Sequence, residues 1–143
     1  MRVANVYHLF GHITRERIEP QFEVEVDGEF HELDLRFKPG DPGRAPPYVA
    51  PHQPRVDFRL WFYGPSFRRA MPAYLDRLLE LLCRRPTQLS KLFSRLPPTG
   101  ASAVRVAFYR YRFTTPEERA ASGDYFERTR LGALSPRRCT TIR

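Results

Sequence analysis

The dipeptide Asp27-Gly28 sits between two runs of alternating apolar and polar residues, and this combination constrains the fold more than any other feature of the chain. A two-residue loop of this composition favours a type I′ turn, which needs positive φ at both central positions. The hairpin then opposes Phe22 to Leu33, Val24 to His31 and Val26 to Glu29. Ile18, Pro20, Leu35 and Phe37 extend the apolar side, whereas Glu23, Glu25, Glu32 and Asp34 are expected to face water. Phe30 falls out of step on the outer face, free to cover a neighbouring element.

The rest of the chain supplies partners for this hairpin. Residues 3–13 read as a strand through Val3, Val6, Leu9, Phe10 and Ile13. Residues 39–54 form a proline-rich loop, stiff and without ladder donors. A loop of that length is either functional or a packed crossover on the sheet. Residues 55–63 are ambiguous: Val56, Phe58, Leu60 and Phe62 alternate like a strand, yet the run is apolar enough for a short helix. Met71, Tyr74, Leu75, Leu78, Leu79 and Leu82 mark one stripe of a helix over 72–85. Pro72 suits its start, and Arg84, Arg85 and Pro86 its end. A shorter helix follows, with Thr87 as its cap, Leu89, Leu92, Phe93 and Leu96 on its face, and Pro97-Pro98 stopping it.

Residues 103–114 form a strand in which Val104, Val106 and Phe108 share one face and Tyr109, Tyr111 and Phe113 the other. The change of parity predicts a bulge or a strand covered on both sides. Thr115-Pro116-Glu117-Glu118 is a capping-box signature for one helical turn that Gly123 ends. Residues 125–134 make a last strand, and the basic tail 136–143 is expected to be loose. The order predicts an α+β fold in a single domain of residues 1–143: an antiparallel, β-sandwich-like core with a two-helix insertion between early and late strands.

A chain of 143 residues with 41% apolar residues can build its own core without staples. Cys83, beside a leucine run, reads as a small buried hydrophobe and Cys139 as part of the tail; whether they pair stays open, and with it the redox compartment. The net charge of +8 comes almost wholly from arginine, with only Lys38 and Lys91 as lysines. The arginines are scattered and often neighbour glutamate, so no specific nucleic-acid partner is expected, although Arg110-Tyr111-Arg112-Phe113 offers the residues to clamp a single strand. No apolar run is long enough to span a membrane, and the first residues lack the apolar segment of a secretory signal. The chain as written is expected to be soluble, with any export signal or anchor lying outside it.

No catalytic or metal motif emerges. His8 and His12 have a helical metal spacing but stand in a predicted strand without HExxH. His52 and Asp57 are close enough in sequence to form an oriented imidazole, the basis of a hydrolase alternative, but no nucleophile motif joins them. No cofactor is expected. Exposed aromatics are the natural anchors of a partner site, and the candidates are Phe30, Trp61, Tyr63 and Phe67.

Several segments together resemble one family. Asn5, Tyr7, Phe10, Gly11, Thr14, Arg15 and Arg17 stand in a stretch similar to the opening of the soluble C-terminal domain of lipase maturation factors. Lys38-Pro39-Gly40-Asp41 resembles the family's next signature. Pro51, His52, Arg55, Asp57 and Trp61 resemble its third, and Tyr111 and Phe113, with Tyr125, Phe126, Arg128 and Gly132, its close. The family tends to tryptophan where Phe58, Tyr125 and Phe126 stand. The resemblance implies a non-catalytic, chaperone-like domain that contacts secreted lipases as clients, next to a membrane region or subunit outside this chain. It also implies that relatives reside in the endoplasmic reticulum membrane in eukaryotes. The arginine-rich, lysine-poor composition suits a bacterial member. The signature polar residues are expected to be structural, with Asp57 paired to an arginine and Asp41 bonding its own turn.

Overall fold

The computed structural model describes residues 16–49, 53–95 and 101–139. Strand β1 (Arg17–Val26) turns at Asp27-Gly28, both at positive φ, into β2 (Glu29–Leu33). The register opposes Phe22 to Leu33, Val24 to His31 and Val26 to Glu29, as turn chemistry and alternation require. Helices α1 (Arg55–Tyr63) and α2 (Ala73–Arg84) follow, then β3 (Ala103–Phe113), α3 (Pro116–Ser122), β4 (Phe126–Ala133) and the two-residue β5 (Arg137–Arg138). The strands form one open antiparallel sheet in the order β2-β1-β3-β4, with β5 pairing β3 beyond β4. The class is α+β with an antiparallel sheet, and the layer facing its inner surface is helical. No helix among the described residues is long and apolar enough to cross a membrane.

The inner face carries Phe22, Val24, Leu33, Val104, Val106 and Phe108, all buried. Against it pack Leu75, Leu78, Leu79 and Leu82 of α2, the stripe anticipated from the spacing. Met71 stays exposed and Tyr74 half-buried, so the stripe is narrower at its start. The predicted second helix is a 3-10 turn over Pro86–Leu89 that begins at Arg85, and Thr87 caps nothing; Leu89, Leu92 and Phe93 are nonetheless buried. Phe93 meets Phe22 edge-on at 5.2 Å between ring centroids. The register shift between Phe108 and Tyr109 against β4 is the bulge that the parity change announces. The capping box of α3 forms in both directions, and Gly123 closes the helix at positive φ.

Four expectations are corrected. Glu23 does not face water: it is buried, paired to Arg105 directly across from it on β3 and approached by Arg130. The tail is not loose through Cys139. Arg137 and Arg138 pair β3, Arg137 bonds Asp76 of α2 at 2.8 Å, and Cys139 forms a disulfide with Cys83 across a Cα–Cα distance of 5.1 Å. Cys83 is therefore a cross-link and not merely a small buried side chain. His31, opposite Val24 on the same side of the hairpin, is exposed.

The proline-rich loop covers the outer face. Lys38, Pro39 and Gly40 are buried, and the Tyr111 hydroxyl donates to the Gly40 carbonyl at 2.7 Å. Gly40 sits at φ +64°, a conformation that favours glycine, with the Asp34 carboxylate close to where a Cβ would stand. The Asp41 carboxylate accepts from the Gly43 N–H, bonding its own turn as expected. Glu19, Gln21 and Glu23 are buried polar residues of the outer face, each with a partner: Lys38 for Glu19, Asp34 for Gln21 and Arg105 for Glu23.

Candidate functional site

Helix α1 is the element whose exposed side the fold does not explain. Pro54 ahead of it disfavours continuation backwards as helix, and Gly64-Pro65 ends it. Gly64 lies against the backbone carbonyl of Ile18, a place no Cβ could occupy, and this close approach clamps the end of α1 to β1. The helix buries Asp57, Leu60 and Tyr63. Tyr63 packs edge-on to Phe108 at 5.7 Å and donates its hydroxyl to the Phe67 carbonyl at 3.1 Å. The alternation of Phe58, Leu60 and Phe62 that imitates a strand is resolved by helical geometry, which turns Leu60 inward and its two neighbours outward.

Phe58, Trp61 and Phe62 consequently share the solvent side at i, i+3 and i+4, with 46%, 38% and 57% of their surfaces exposed. Their rings touch one another, with centroids 4.9 Å apart for Phe58–Phe62, 5.1 Å for Trp61–Phe62 and 6.3 Å for Phe58–Trp61. Arg55 and Arg59 flank this ridge in solvent, and the Arg59 guanidinium lies over the Tyr74 ring of α2 at 5.5 Å. An apolar cluster rimmed by cations on a rigid helix can bind an apolar surface while the rim stays hydrated.

Beneath the ridge lies a buried group of charges. Asp57, in the first turn of α1, has no exposed surface, and neither carboxylate oxygen has a hydrogen-bond partner among the described residues. Nearby, Lys38 Nζ stands 2.8 Å from Glu19 Oε2, and Arg17 Nε donates to Glu19 Oε1 at 2.8 Å. Burial pushes the Asp57 carboxyl up to about 6; Lys38 opposes the shift and Glu19 adds to it. The arginine expected beside Asp57 is absent among the described residues, and the nearby cation is Lys38. The reason is topological: the 38–41 crossing, not a surface arginine, reaches the start of α1.

Of the proposed partner-binding residues, Trp61 is on the ridge. Tyr63 and Phe67 are buried, and Phe67 stacks on Phe108 at 4.5 Å, so both belong to the core. Phe30 is half-buried on the outer face beneath the Arg105 guanidinium at 3.6 Å, covering a neighbouring strand and away from α1. Phe58 and Phe62 stand beside Trp61, a grouping that a helical reading of 55–63 makes and a strand reading does not. Among the signature residues, Lys38 and Gly40 of the loop are tied to the sheet through Glu19 and Tyr111, Pro39 is buried beside them, Arg17 pairs with Glu19 within β1, Asp41 bonds its own turn, and Arg55 and Phe113 are exposed. Asn5, Tyr7, Phe10, Gly11, Thr14, Arg15 and Pro51 lie outside the described residues, as do His8, His12, His52 and the strand expected over 3–13.

The family description "lipase maturation factor C-terminal domain" matches residues 3–136, nearly the whole chain. The chain belongs to this family. It is 32% identical over 148 residues to lipase maturation factor 1 of Bos taurus, covering 95% of the chain and 26% of that protein. It is also 32% identical over 129 residues to lipase maturation factor 2 of Homo sapiens, covering 82% of the chain and 18% of that protein. The chain thus spans about a quarter or less of the length of these relatives. No solved structure matches it significantly.

Proposed function

We propose that this lipase maturation factor domain is a non-catalytic client-contacting module, and that it holds an incompletely assembled secreted lipase through the ridge of Phe58, Trp61 and Phe62. The observation that carries the reading is the ridge itself: three touching aromatics, each more than a third exposed, on a helix whose other side is locked to the sheet. Rigid aromatic anchors bind at low entropic cost. The names of the relatives supply the class of client. The buried position of Asp57 leaves it closed to a substrate, which favours interaction over the hydrolase alternative. The Cys83–Cys139 bridge suits work in an oxidising compartment, where secreted clients fold.

The test uses a denatured, dye-labelled secreted lipase titrated with the domain at low and high salt. Apolar contact predicts an affinity that changes little with ionic strength, in contrast to single-stranded DNA, whose attraction to a chain of net charge +8 fades with salt. Trp61 is the only tryptophan, so its emission should shift to the blue as the ridge is covered. The double variant Trp61→Ser/Phe62→Ser should lose lipase binding at least about tenfold while keeping its thermal midpoint. Salt-resistant binding to DNA with none to the lipase, or ester turnover by the domain, overturns the proposal.

A further inference from the structure

Helix α1 is held unequally at its two ends. At the C-terminal end Leu60 and Tyr63 are buried and Gly64 lies against the Ile18 carbonyl. The Ser66 hydroxyl donates to the Tyr63 carbonyl there at 3.1 Å. At the N-terminal end Pro54 offers no side-chain cap, and the Phe58 N–H reaches the Pro54 carbonyl at 3.2 Å. The fully buried side chain of this first turn is Asp57, a carboxyl group, so the turn is seated on a titratable group where an apolar one would ordinarily stand.

Charge beneath this turn is unevenly shared. Glu19 of β1 holds two cations, Lys38 Nζ on Oε2 and Arg17 Nε on Oε1, each at 2.8 Å. Asp57 holds none in contact, and neither of its oxygens accepts a hydrogen bond among the described residues. The charged groups that face it are Lys38, which favours its ionised form, and Glu19, which opposes it. Arg55 and Arg59 of its own helix are exposed. Two buried carboxylates and one buried ammonium leave a negative charge over, and an ionised carboxylate without hydrogen bonds is costly to bury. A proton on Asp57 leaves the Lys38–Glu19 pair as the only buried charges of the group. We propose that Asp57 is a proton-operated latch for the first turn of α1. Protonated, it seats the turn on β1 and the loop crossing; ionised, it lets the turn swing open to water about the fixed C-terminal end. The seated turn presents the rigid ridge, and the open one draws Phe58 away from Trp61 and Phe62. This device stands whatever the ridge binds.

Linkage sets the size of the effect. In the open turn Asp57 meets water and ionises near 3.8, against about 6 when seated. The ratio of open to seated turn should therefore grow as pH rises from about 4 to about 6 and level off above, by up to about a hundredfold in all. The experiment is amide hydrogen exchange of the whole chain, followed by NMR between about pH 4.5 and 7.5, with each rate divided by the intrinsic rate at that pH. The amides of Phe58, Arg59, Leu60 and Trp61 should lose protection by at least about tenfold across this range, through an opening that low urea does not promote. Those of the central strand β3 should stay better protected throughout. Asp57→Asn should hold the α1 amides at their acid protection at every pH. Glu19→Gln leaves Lys38 to pair with Asp57 and should shrink the change. Protection of the α1 amides equal to that of β3 at neutral pH means that the charge is felt only in global unfolding, and overturns the proposal. So does a pH profile that survives Asp57→Asn or that Glu19→Gln enlarges. No lipase enters the readout, so failure of the client reading and failure of this one are told apart.

Discussion

Breaking the Cys83–Cys139 bridge is the perturbation whose size the structure predicts best. The cysteines are 56 residues apart, and the loop they close contains β3, α3, β4 and β5. Loop-closure entropy for that separation corresponds to about 4 kcal/mol of stability at 25 °C. The native side adds little to replace it: β5 contributes two residues to the sheet, and the Arg137–Asp76 pair is partly in solvent. Replacing both cysteines by alanine and titrating with urea should therefore move the unfolding midpoint down by more than about 1 M, given slopes of ~1–3 kcal/mol/M. Each single alanine variant should cost nearly as much as the double, because one missing sulfur already opens the loop. Reduction of the wild-type domain should reproduce the shift. Singles whose costs are small and simply add, or a midpoint indifferent to reductant, would refute the argument that the link restrains the unfolded chain.

Asp57 gives a pH dependence whose sign follows from burial. Its pKa is raised in the fold, from 3.8 to about 6, so the folded state holds the proton more tightly. The penalty is absent below about pH 4 and complete above about pH 6, so stability should fall as pH rises through that window, by at most about 3 kcal/mol. Asp57→Asn should flatten this component and raise stability at neutral pH, as seen by thermal melts at a series of pH values. Leu78→Ala, under the centre of α2 and 5% exposed, should cost ~2–5 kcal/mol in the same titration used for the disulfide, with the fold retained.

What could be read from the sequence was local. The hairpin register follows from two turn residues and the alternation around them, and the bulge follows from a parity change within β3. The α2 stripe and the α3 capping box likewise need only neighbours within a few positions. What could not be read depends on distant segments. Glu23 looks solvent-facing until Arg105 and Arg130 arrive from two later strands. Cys83 and Cys139 carry no local sign of pairing. Helix α1 was ambiguous because Val56, Phe58, Leu60 and Phe62 satisfy both periods, and only docking of Leu60 and Tyr63 on the sheet decides between them.

That ambiguity bears on the candidate site itself. A helix meant only to fill the gap over β1 would satisfy its packing with Leu60 and Tyr63 inward and polar residues outward. α1 instead exposes three aromatic side chains while enclosing a charge, Asp57, so it departs from ordinary patterning on both sides. The two departures differ in kind. Asp57 has a structural neighbourhood in Lys38 and Glu19, which joins the start of the helix to the loop crossing and to β1. Phe58, Trp61 and Phe62 touch one another, are each more than a third exposed, and stand outside the core cluster of buried residues. Partly exposed aromatics that touch one another, arrayed on a helix that folding holds rigid, are where a contact with another molecule is best sought.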